Sequence, residues 1–551
     1  MAVKLVRHVG AAKAAMLGFA ARDAPTVATS LRRAESIDRK LIVKAMFAHL
    51  RRHLVSLVIL LAITQAAYAQ SLRAEFSPLA NFAYQLDCVS GAIRQRLCAG
   101  ADDFRALWKR DFGIDMATSP EVKRWAALRK DYAEISPDYR HSDSQWPHDG
   151  MSFSNRILIA AFAARDTSDY HSRLVLLLPD RLVQEANIIV QSLYPPFGKW
   201  WKATGASVGK PAADAMISAL EAPAIKQQVV ELFSFYGAPK AALPAHTAQL
   251  MLRPGLADKS LTSGSNFGST SIVEFFAETK SCDQTPVIVH EYAHYVFGAT
   301  PRTQALALSD AVKKAGSEIG MPMWGLLDEA LATAIGNGRV SRTLMSEARY
   351  AEFAAKALSF YNIADVDLAG KAMLPQVDAF INSGRNIFDP MFPDVYAKAV
   401  REKLGGVLNQ PATFMNEYSL VVDSALGSGP EGGTPWASEF QTRSRMMAVL
   451  VCCEANFLQA IKNAVKGTAV IAVASSNFDK LSNVPRVSND QQAALNAARR
   501  EPGAVGALLV SRETGSPPLI VTVVNDSAAL SRAAKLLAAM PALKAGVVSV
   551  K

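Results

Sequence analysis

The 551-residue sequence predicts an α+β fold that is mainly α-helical. Three observations carry that prediction. Apolar residues recur at three-to-four spacing through most of the chain between Asp102 and Val400, the period of a helix with one buried face. The period drops to two only between Pro244 and Phe276, which leaves room for a small sheet. After Val465, short apolar strands alternate with helical stretches in the pattern of an α/β module. These changes divide the chain into a leader (1–69), a helical region (70–240), a central domain (241–465) and a C-terminal module (466–551).

The leader carries most of the charge. Its 69 residues hold eleven Lys/Arg and three Asp/Glu, a net of +8, so of the chain's +10 only +2 remains for the other residues. A pI near 9.2 is therefore a property of the leader, and no nucleic-acid-binding surface is inferred from it. Within the leader, Met46–His53 is a basic opening, Leu54–Ile63 an apolar core, and Ala67-Tyr68-Ala69 a small-x-small cleavage site. That is the layout of a secretory signal. Residues 1–45 play no part in such a signal, and translation from Met46 is expected. The apolar run falls short of the roughly 20 residues that a membrane span needs. The expectation is an exported protein, periplasmic or secreted, with no stable membrane span after cleavage.

Export permits disulfides. Of the five cysteines, Cys88 and Cys98 form the most plausible pair. Cys282 is a candidate to join Cys452 or Cys453, which leaves one thiol over. Helical patterns run over 102–112, 120–132, 182–193 and 211–236, while Arg173–Pro179 reads as either a strand or a short helix. His141 and His148 lie in a polar, turn-rich loop (139–150) and are expected to be solvated. Strands are expected at His246–Arg253 and Ser269–Phe276, joined by a Gly/Ser-rich connection.

The stretch Pro286–Phe297 has the form H-E-x-x-H. On a helix, His290 and His294 stand one above the other on the same face, so both imidazoles reach one metal ion. Glu291 projects to the edge of that face, placed to accept a proton from the attacking water. The flanks Val287, Ile288, Val289, Tyr292, Ala293 and Val296 are apolar, and a buried helix carries two imidazoles and a carboxylate only where something pairs with them. Pro286 suits a first helical turn. Zinc needs a third protein ligand. No histidine follows His294, so a downstream ligand must be a carboxylate: Asp310, Glu318, Asp328, Glu329 or Glu347. Glu329 is the best placed, because it interrupts the apolar helical run Trp324–Ala334. Its neighbour Asp328 points about 100° away, toward solvent or toward a partner that orients a ligand.

H-E-x-x-H followed by W-x-x-x-D-E-x-L-A resembles the gluzincin branch of zinc peptidases, which includes thermolysin-like and aminopeptidase-N-like enzymes. The 34 residues Tyr295–Asp328 are more than the better-known members carry there. The excess, roughly 301–320, has an amphipathic pattern and is expected to be an inserted helix. The resemblance implies a zincin-like catalytic domain, Zn2+ held by His290, His294 and Glu329, Glu291 as general base, and a peptide or protein substrate. It further implies that an edge strand binds the substrate, which would place residues 268–274 along the cleft. The segment Tyr396-x-Lys398-Ala399 is similar to the Y-x-K-G of aminopeptidase-N-like enzymes, whose tyrosine stabilises the oxyanion. Tyr396 is thus the candidate for that role, with Tyr350, Tyr361 and Tyr418 as competitors. The G-x-M-E-N motif that grips a substrate amino terminus is missing, which favours an endopeptidase over an aminopeptidase. The competing class is a non-catalytic binding or scaffold protein that keeps the fold.

Beyond Glu329, residues 341–368 read as helical, as does 392–400. In the tail, strands are expected at 468–474, 504–511 and 519–524, and helices at 490–500 and 527–539. The glycine-rich stretch 427–435 lacks the lysine and Ser/Thr of a phosphate cradle.

Overall fold

In a computed structural model, residues 72–92, 98, 100–135, 156–238, 245–255, 263–415, 418–427, 434–441, 449–452, 457–465, 467–513 and 516–551 are described. The expected signal sequence, the His141/His148 loop and Cys453 lie outside them. The described residues are mainly helical, with two small sheets. No helix among them is long and apolar enough to cross a membrane.

The first sheet consists of β1 (Leu72–Glu75), β2 (His246–Leu252), β3 (Gly264–Asn266) and β4 (Thr270–Phe275), in the order β1-β2-β4-β3. β1 and β4 both run parallel to β2, and β3 pairs antiparallel to β4, with Gly264 opposite Val273 and Asn266 opposite Ser271. β2 and β4 are buried at every position, as expected for strands covered on both faces. Side chains alternate between the two faces. Leu250, Leu252, Val273 and Phe275 join one hydrophobic core, while Met251 and Ile272 join another.

The two cores meet at this sheet and do not divide at residue 240. The second core is built from residues 79–201 with Met251, Phe267 and Ile272. β1 and the helices Ala206–Glu221 and Pro223–Phe235 belong instead to the core around His290. Their helical period is the same on either side, so periodicity alone does not tell which core a helix serves. The expected 211–236 helix breaks at Ala222, where Pro223 opens a new first turn. Arg173–Val175 closes the helix Thr167–Val175 and is not a strand. Cys88 and Cys98 form a disulfide with Cα atoms 5.6 Å apart.

A second sheet has the order β10-β8-β9-β7-β5-β6. β7 (Ala469–Ala474), β8 (Gly506–Ser511), β9 (Leu519–Val524) and β10 (Gly546–Val550) lie within the expected C-terminal module. Two further parallel strands, β5 (Ser419–Val422) beside β7 and β6 (Val449–Cys452) at the edge, come from before residue 466. The sheet therefore extends back across that boundary. Four-residue strands separated by a helix leave no alternating run long enough to read.

Candidate metal centre

The helix Ser281–Gly298, here the His helix, lies against β4 and β3 and is buried on nearly every side. It begins earlier than expected, so Pro286 sits inside it and not in its first turn. The inserted segment folds as the helix Arg302–Ala315. The chain then returns as the Glu helix, Gly320–Ala332, which continues through the π-helical turns Thr333–Val340.

His290, His294 and Glu329 come together, each offering one ligand atom within 4.8 Å of the others. The two Nε2 atoms are 3.0 Å apart. Glu329 Oε2 lies 3.5 Å from His290 Nε2 and 3.8 Å from His294 Nε2. Three ligands at zinc–donor distances near 2.0–2.1 Å in a tetrahedron would stand about 3.3 Å from one another, so this triangle fits a small divalent ion. The imidazole side chains are 4% and 5% exposed and that of Glu329 is 26% exposed, so the carboxylate marks the open side.

Asp328 points away from its neighbour and orients His294. His294 Nδ1 stands 2.8 Å from Asp328 Oδ2. A proton on Nδ1 donated to that carboxylate leaves the Nε2 lone pair for a metal. Burial opposes charge on His294, but the Asp328 carboxylate, aided by Glu329 and Glu291, outweighs it and raises the imidazole to about 10. Burial also raises the carboxyl of Glu291, against the pull of His290 and His294.

The His helix is held at two close approaches. A Cβ on Gly336, in the π-helical turns, would lie 2.6 Å from the carbonyl oxygen of Pro286 and 2.7 Å from both N and Cβ of His290. On the other side a Cβ on Gly264 would run into Glu291 Oε1 and come within 2.8 Å of Val287 Cγ1. Next to it, Asn266 donates to the carbonyl of Glu291 at 2.8 Å. The strand beside Glu291 is thus β3. This corrects the expectation for residues 268–274, because β4 is paired on both sides and β3 is the terminal strand.

Tyr396 is also corrected. Its ring is fully buried and its hydroxyl donates to the carbonyl of Met323 at 2.7 Å, so it ties two helices together. The ring of Tyr361 instead lies against that of His290, with centroids 5.6 Å apart and planes tilted by 31°. Tyr418 lies in the core of the second sheet, and Tyr350 packs on Phe353 and Phe360. Among the other candidate ligands, Asp310 and Glu347 are exposed and Glu318 pairs with Arg401 at 2.9 Å. Cys282 is a free, buried thiol and not half of a disulfide. It opens the His helix, whereas Cys452 ends a strand of the other sheet.

Sequence reasoning missed what holds Tyr361. Residues 341–368 are not one helix: two short helices, Ser341–Leu344 and Glu347–Ala355, are followed by a non-helical strap over 356–363. The positive φ of Leu358, 58°, breaks the pattern, and leucine gives no sequence signal for such a turn. Comparison with known protein families, with characterised proteins and with solved structures finds no match to this chain.

Proposed function

We propose that this chain is an exported zinc-dependent metallopeptidase of gluzincin type, an endopeptidase that hydrolyses peptide bonds. The observation that carries the reading is the convergence of His290, His294 and Glu329, with Asp328 behind His294 and Glu291 beside the triangle. Two imidazoles and one carboxylate are the donor set of catalytic zinc. When bound, zinc supplies a Lewis acid that polarises the scissile carbonyl and acidifies water. Glu291, buried and raised in pKa, accepts the proton of the attacking water and passes it to the leaving amine. Tyr361, whose ring lies 5.6 Å from that of His290, is the candidate hydroxyl donor to the developing oxyanion. A single donor of that kind is worth about 3 kcal/mol. β3, the terminal strand of its sheet beside Glu291, receives the substrate as an extended strand through main-chain pairing that tolerates many sequences.

The test uses protein beginning at Gln70, a pool of random peptides and metal analysis. Wild type is expected to hold one zinc per chain and to cleave within peptides. Glu291→Gln should keep the zinc and lose turnover, and Glu329→Ala should lose most of the zinc. Hydrolysis retained in Glu291→Gln would overturn the mechanism. Zinc binding without cleavage by wild type would make the chain a non-catalytic binding protein that keeps the centre.

A further inference from the structure

The strap over 356–363 is built around one side chain. Asp367, in the first turn of the helix Ala364–Asn382, is 2% exposed. Its Oδ1 accepts from the main-chain N–H of Phe360 at 2.8 Å and of Tyr361 at 3.3 Å, and its Oδ2 accepts from that of Leu358 at 3.2 Å. Lys371, one turn further on, donates to Oδ2 at 2.9 Å and also bonds the carbonyl of Lys356. Its ammonium stands 5.3 Å over the Phe360 ring. The oxygens of a buried carboxylate need hydrogen-bond donors, and here three of them are main-chain N–H groups of one short segment. The segment includes Leu358 in the left-handed region, a conformation that leucine rarely adopts unless its surroundings impose it. The result is that Phe360 is buried and the ring of the next residue, Tyr361, lies tilted against that of His290.

We propose that Asp367 is a positioning residue of the metal centre: it folds the strap so that Tyr361 forms the wall over His290. The consequence for catalysis rests on the peptidase reading, but the placement of Tyr361 does not.

The two parts are tested separately. In the metal-free full chain, the rate at which diethyl pyrocarbonate modifies His290 is followed by peptide mass spectrometry. Tyr361→Ala should raise the rate about tenfold by removing the wall. Asp367→Ala should do the same, and the double variant should label no faster than either single one, because both remove one wall. Should Asp367→Ala fail to fold, Asp367→Asn decides. It keeps the shape but turns an NH2 toward the Leu358 N–H, and it should raise labelling severalfold. In peptide hydrolysis, Asp367→Ala or Asp367→Asn should lower kcat about 10- to 100-fold, the scale of a misplaced group. KM should stay within about threefold, and the loss should vanish in a Tyr361→Ala background. Labelling unchanged from wild type in the Asp367 variants, or losses that add to that of Tyr361→Ala, would overturn the proposal. If wild type cleaves no peptide, the peptidase reading fails while the labelling still decides whether Asp367 places Tyr361.

Discussion

Gly336→Ala tests whether the metal centre depends on how closely the π-helical turns approach the His helix. The added Cβ would lie 2.6 Å from the carbonyl oxygen of Pro286 and 2.7 Å from N and Cβ of His290, whereas ordinary contact begins at 3.4 Å. The shortfall is roughly 0.7–0.8 Å, and two of the three atoms are main chain, so no side chain can rotate away; the helices must part. Overpacking of this kind costs about 1–3 kcal/mol. Parting them by even half the shortfall moves His290 relative to Glu329 by about 0.4 Å, beyond the roughly 0.2 Å within which metal–ligand distances are held. Zinc affinity is therefore expected to fall about 10- to 100-fold, the range seen when the supports of metal ligands are removed. Gly325→Ala is the control: it lies on the Glu helix, and its Cβ would meet nothing within 4 Å. Helix propensity alone should make that variant more stable by about 0.5–1 kcal/mol. The assay is competition for zinc against a chromophoric chelator, with thermal unfolding of the metal-free protein alongside. Gly336→Ala matching wild type in both would refute the argument.

Three further outcomes follow from other contacts. Gly264→Ala pushes into the Glu291 carboxylate, so turnover should drop about 100-fold with zinc content intact; a loss of zinc instead would show the strand supports the ligands and not the base. Tyr396→Phe removes the hydroxyl's bond to the buried Met323 carbonyl and should cost about 0.5–1.5 kcal/mol in unfolding, while kcat stays unchanged; a kcat loss of 100-fold or more would restore Tyr396 to the reaction. His246 is buried and bonded to Ser271 Oγ at 3.0 Å, and burial lowers its pKa from 6.5 to about 3. The unfolded chain protonates this residue below about pH 6.5 and the folded one does not. Its contribution is therefore complete above that pH and is lost on acidification, by about 1.4 kcal/mol at pH 5.5. The stability difference between wild type and His246→Gln should shrink by that amount between pH 7.5 and 5.5, and parallel curves would refute the assignment.

The cluster of His290, His294 and Glu329 was legible because two separate local signals each placed a polar group on an otherwise apolar helix. The four-residue step between His290 and His294 needs no tertiary information. Glu329 was readable as an acid in the apolar run Trp324–Ala334, and the 100° turn to Asp328 points the two carboxylates to different partners. What the sequence did not disclose are the facts that depend on how distant segments meet. Tyr396 matched a pattern of residue types, but its hydroxyl is satisfied by a carbonyl 73 positions earlier, and no local rule records that. The terminal strand beside Glu291 lies one position further out in the sheet order than expected, because three residues, Gly264–Asn266, are too few to show a period of two.

Glycine was the least legible component of the site for the same physical reason. Gly264 and Gly336 sit on opposite sides of the His helix, one beside Glu291 and the other beside His290. In sequence the first belongs to a Gly/Ser-rich connection and the second to a run that looks like ordinary helix. Neither glycine has a positive φ, so what is needed of them is the absence of a side chain, not conformational freedom. A residue whose contribution is empty space leaves no pattern of its own. It becomes visible only when the helix that fills the space is in place, and here that helix carries both imidazoles and the carboxylate of the proposed reaction.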